Sequence, residues 1–141
     1  MHLYLYFLIP VFLVLAGCQP TSLEDFQWEG SSYARILLKD LQKIESREDL
    51  SKIEPLLKKD FHKIVDVIIQ ARAFQQKNPE AEISFQNINP VLNASLREEL
   101  KRVYEIEGGR ECVERVQREA MLKLDAKERR IEKQSAFFPN K

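Results

Sequence analysis

Seven apolar residues, Leu50, Ile53, Leu57, Phe61, Ile64, Ile68 and Ala71, recur at intervals of three and four through the middle of the chain. That spacing puts all of them on one face of an α-helix but on both faces of a strand, so residues 46–77 are predicted to form one long helix. Ser46 followed by Asp49 supplies a capping pair at its start. Pro55 sits inside the run. It removes one backbone donor and crowds the preceding turn, so the expectation there is a kink, or a short helix feeding directly into a longer one. Val67 and Ile69 widen the apolar face, which marks this helix as the central one.

The neighbouring segments carry the same period. Residues 31–45 are predicted as a first helix, capped by Ser31 or Ser32, with Tyr33, Ile36, Leu37, Leu41 and Ile44 on its inner face. Ser95-Leu96-Arg97-Glu98 reads as a capping box for a third helix reaching about Glu107, with Leu96, Leu100, Val103 and Tyr104 turned inwards. Gly108-Gly109 stops it. A fourth helix is expected from Arg110 to about Lys133, on Val113, Val116, Ala120, Leu124 and Ile131. Residues 78–94 connect the second and third helices. Within them residues 82–86 alternate like a very short strand, but with no partner strand elsewhere an extended coil is expected. No repeat of 20–50 residues is evident. The predicted fold class is all-α: a small antiparallel helical bundle of three to four helices, after an N-terminal signal helix.

Charge narrows the function. The 141 residues carry 22 basic and 22 acidic side chains. A nucleic-acid binder or a polybasic membrane patch needs a basic excess, so neither class is expected. None of these charges falls in residues 1–17, and the composition changes abruptly at Cys18. Residues 3–16 are apolar or aromatic throughout. As a helix they would span about 21 Å, short of a hydrocarbon core of about 30 Å, which fits the apolar core of a signal peptide better than a membrane span.

The run ends Leu15-Ala16-Gly17-Cys18, and this resembles the lipobox of bacterial lipoproteins. The resemblance covers residues 1–18 and implies that a lipid joins the Cys18 thiol through a thioether. A dedicated peptidase would then cut between Gly17 and Cys18. Small Ala16 and Gly17 suit a narrow protease cleft, and Leu15 fills the apolar position. The segment departs from a usual signal peptide in beginning Met1-His2-Leu3, with no Lys or Arg. Gln19, in place of Asp, leans towards the outer membrane facing the periplasm rather than the inner membrane, if the source is a diderm. The domain plan expected is therefore a cleaved signal peptide (1–17), a tether (18–30), a helical domain (31–134) and a C-terminal tail (135–141). Phe26 and Trp28 in the tether either fold back onto the domain or rest at a lipid interface. Phe137 and Phe138 in the tail either cover a bundle end or form a docking motif.

Few side chains suggest chemistry. His62 has no HxxxH or ExxH partner at metal-ligand spacing, and Asp66 one turn on offers it a local ion pair. Cys112 is the one cysteine left after Cys18 is acylated. It reads as a buried small apolar residue, or as a free thiol able to make an intermolecular disulfide and hence a homodimer. Pairs such as Glu98–Arg102 and Glu128–Glu132 have the spacing of solvated helix faces. No catalytic residue, metal site or cofactor is assigned, and an enzyme is not expected. The function expected is a lipid-anchored cell-envelope protein with a structural or protein-interaction role. It would be held to membrane lipid through acylated Cys18 and meet an envelope protein of unspecified identity. The alternative is a periplasmic binding module or inhibitor capturing a soluble protein, a peptide or an apolar ligand.

Overall fold

A computed structural model describes residues 22–80 and 89–137, apart from the side chains of 131, 132 and 134–137. The expected signal segment (with Gly17), Cys18, the alternating residues 82–86 and Phe138 lie outside the described residues. The described chain is all-helical, with no strand: α1 (Leu23–Gln42), α2 (Arg47–Lys77), α3 (Pro90–Tyr104) and α4 (Gly109–Phe137).

The long apolar period is α2, capped by Ser46, whose side chain accepts from the Asp49 amide. The helix runs on through Pro55. Pro55 and Ser51, whose carbonyl loses its donor, are both exposed, so water can take the place of the missing bond.

Helix α1 begins earlier than expected, and residues 23–30 are helix rather than tether. The cause is local. Ser22 and Asp25 form a reciprocal capping box, at 3.2 Å and 3.0 Å. Phe26, one residue on, is buried against Val67 and Ala71 of α2, with the Phe74 ring centroid 5.7 Å away. Gly30 does not stop the helix. Ser31 and Ser32 are interior, and the Ser32 hydroxyl donates to the Trp28 carbonyl at 2.9 Å.

Helix α3 also starts early, at Pro90. Asn89 accepts from the Val91 amide at 3.0 Å, and proline suits the first helical position because its missing N–H has no partner there. Ser95 is thus inside the helix. It ends at Tyr104, short of Glu107. Gly108 takes φ +78°, and α4 starts on Gly109 and takes in residues 135–137 of the expected tail.

The chain forms two antiparallel hairpins, α1–α2 and α3–α4, each closed by a four-residue connection, residues 43–46 and 105–108. The hairpins lie side by side, with α1 against α3 and α2 against α4. Glu54, Lys58, Asp66 and Arg72 of α2 pair in order with Arg115, Glu119, Lys123 and Glu128 of α4, so these two helices run parallel. Helix α2 therefore ends, and α3 begins, at the end of the bundle opposite the two short connections. All four helices share the main core: Leu37 and Leu41 from α1, Ile44 from the connection after it, Leu50 and Leu57 from α2, Val103 from α3, and Cys112, Val113 and Val116 from α4. Leu57 is fully buried, and its burial contributes about 2–3 kcal/mol. Smaller clusters join α2 to α1 through Phe26 and to α4 through Val65, Ala120 and Leu124. Helix α2 is therefore central.

Candidate functional site

Cys112 lies in the first turn of α4, where Gly109 lets that helix approach α3 closely. It is a free, buried thiol within the main core. Burial pushes its pKa up, and the nearby Glu54 carboxylate pushes it further, both by its charge and by accepting a hydrogen bond from the thiol; Arg115 opposes them. The thiol form is favoured, which is the opposite of what a nucleophile needs. A disulfide to a second chain would require this part of the core to open.

His62 is half-buried on α2, beside the α4 interface. Asp66 does not serve it: its carboxylate takes Lys123 of α4 at 2.5 Å. Glu119 accepts from Lys58 at 2.6 Å. That bond lowers its pKa, with smaller contributions from Arg115 and His62. Along the interface the α2 partners read acid, base, acid, base, and the α4 partners the reverse. A slip of one turn would bring Lys58 to Arg115, so the alternation fixes how the hairpins align. Glu128 pairs with Arg72, and Arg102 pairs with Glu99 instead of Glu98.

Two carboxylates that the sequence reading passed over meet inside the molecule. Asp40 of α1 and Asp60 of α2 are 6% and 5% exposed. Their signal was present: each occupies an apolar phase position, Asp40 between Leu37 and Leu41 and Asp60 between Leu57 and Phe61. Among the described residues no group of three or more His, Cys, Asp or Glu side chains is placed to hold a metal ion.

The surface has one end of particular interest. The first turns of α1, the last of α2 and the far part of α4 share the end opposite the two short connections. Trp28 of α1 and Val91 of α3 are each 72% exposed there, above Leu122 at 57% and Ile36 at 44%. Among the described residues no helix is long and apolar enough to cross a membrane.

No protein-family model, curated protein or solved structure matches the chain.

Proposed function

We propose that the chain is a lipid-anchored protein of a bacterial cell envelope, held by acylated Cys18, whose helical bundle acts as a structural or protein-interacting element. The observation that carries this reading is the charge-free run of residues 3–16 passing directly into Leu15-Ala16-Gly17-Cys18. Its length suits a signal segment, and its end supplies the thiol. One acyl chain binds a bilayer only marginally, so stable attachment calls for the two or three chains of a lipoprotein anchor. The start of α1 at Leu23 supports a short link between anchor and bundle.

Metabolic labelling with an alkyne palmitate analogue in a bacterial host tests it. The unaltered chain is expected to be labelled and to have lost residues 1–17, as read by intact mass. Cys18→Ala is expected to be unlabelled and unprocessed. Label persisting in Cys18→Ala, or absent from the unaltered chain, overturns the proposal.

A further inference from the structure

We propose that the exposed flank of α1 around Trp28 rests in the headgroup region of the bilayer, so that Trp28 acts as a second, non-covalent membrane contact. The inference rests on the lipid-anchor reading and adds to it which surface meets the lipid.

Chain length brings the two together. A tether of residues 18–30 would let the domain wander, but α1 starts at Leu23, five residues after Cys18. Five extended residues span about 17 Å at most. The first turns of α1 are therefore confined close to the anchored sulfur, and Trp28 is only five helical residues further on, about 7.5 Å of rise.

Among the described residues, no helix covers that place. Arg102 of α3 reaches the Leu41 and Ile44 carbonyls at the far end of α1, which sets the register of these two parallel helices. Counting back eleven residues on each puts Val91 level with residues 30–33 of α1. Pro90, the first residue of α3, is level with 29–32. The turns of α1 before that level have α2 on one side and no α3 on the other. Phe26 fills the α2 side. Trp28, two residues on and so about 200° round the helix, points away from it and stays 72% exposed.

The occupant is set by chemistry as well as position. An indole has an apolar body and one N–H donor, the combination that partitions to the membrane interface. Glu24, Asp25 and Glu29 flank Trp28 on α1, so an anionic surface would be repelled and a zwitterionic one is favoured. A soluble partner of the same apolar flank would have to fit between the bundle and a bilayer a few residues away.

Trp28 is the chain's one tryptophan, so it reports on itself. The acylated protein, purified in detergent, is reconstituted into phosphatidylcholine vesicles with and without brominated acyl chains. The expected result is a blue-shifted emission that brominated lipid quenches, more by bromines near the headgroup than by bromines near the chain ends, and without any need for anionic lipid. Emission that stays unquenched while intact mass confirms lipid on Cys18 overturns this inference and leaves the anchor standing. Emission already blue-shifted in detergent and indifferent to the vesicles also overturns it, because a protein surface, its own or a second copy's, then covers the indole. Absence of lipid on Cys18 removes both proposals.

Discussion

Asp60 on α2 faces Asp40 on α1 across the inside of the bundle, and one Asp60 oxygen, Oδ2, is buried with no hydrogen-bond partner. Lys43 holds the Asp40 carboxylate at 2.5 Å from the solvent side. A negative charge on Asp40 so close by disfavours the ionised form of Asp60. Burial pushes the Asp60 carboxyl up to about 6 from an ordinary 3.8, a hydrogen bond to Asp40 and the Asp40 charge push the same way, and Lys59 and Lys43 oppose. Below about pH 6 Asp60 holds a proton that it can donate to the Asp40 carboxylate.

The sign of the effect on stability follows from the folded state holding that proton more tightly than the unfolded chain. Its contribution to stability is complete below the unfolded value of 3.8 and is lost as pH rises through about 6. The loss is about 3 kcal/mol at most. Asp60→Asn keeps a donor for Asp40 and removes the ionisation. It is expected to raise the unfolding free energy from urea denaturation at about pH 7.5 by about 1–3 kcal/mol, and to abolish the fall in stability between about pH 4 and 6. A variant less stable than the parent at the higher pH would show that the pair is not protonated as described.

Gly109 bears on the second hairpin in the same way that Asp60 bears on the first. A Cβ on Gly109 would overlap the Val103 carbonyl oxygen, which is backbone and cannot swing aside. Gly109→Ala is expected to cost about 3 kcal/mol in chemical denaturation, because α4 must shift off α3 and loosen the packing around Val103 and Cys112. Gly30 is the control. Its added Cβ would meet only Val67 Cγ1, at 3.7 Å, an ordinary contact within a helix. Gly30→Ala is expected to be stabilising by up to about 1 kcal/mol. Equal effects at the two positions would refute the distinction.

Much of this architecture is legible in local patterns and little of it in long-range ones. The Leu50–Ala71 period and the Ser46 cap give α2 directly, because both are properties of neighbouring residues. The early start of α1 is harder to read. Gly30 resembles a stop, and what overrides it is Phe26 meeting Phe74, nearly fifty residues away. Asn89-Pro90 and Ser95-Leu96-Arg97-Glu98 are competing helix starts, and the proline with its asparagine cap takes precedence. The alignment of the hairpins depends on pairs such as Glu54–Arg115, whose partners no periodicity connects. Asp40 and Asp60 look like surface residues by type, and only their positions in the apolar phase mark them as internal. The proposed anchor, by contrast, rests on contiguous residues ending at Cys18.

Arg102 offers the sharpest test of how the hairpins are joined. Its guanidinium donates to the Ile44 carbonyl at 2.6 Å and the Leu41 carbonyl at 2.9 Å, and Glu99 orients it at 2.8 Å. The acceptors are carbonyls at the C-terminal end of α1, where the helix dipole concentrates negative charge and favours a cation. One planar group on α3 therefore caps α1 and ties the first hairpin to the second. Arg102→Ala removes the cap and is expected to cost about 1–2 kcal/mol, with the side chain's partial exposure holding the figure at the lower end of the range for charged hydrogen bonds. Arg102→Lys keeps the charge but cannot reach both carbonyls with a fixed fork, so it is expected to recover less than half of the loss. Amide hydrogen exchange supplies the decisive readout. Protection at the C-terminal turn of α1 should fall in Arg102→Ala, although the substitution is on another helix. Exchange that increases only within α3 would mean that Arg102 does not couple the hairpins.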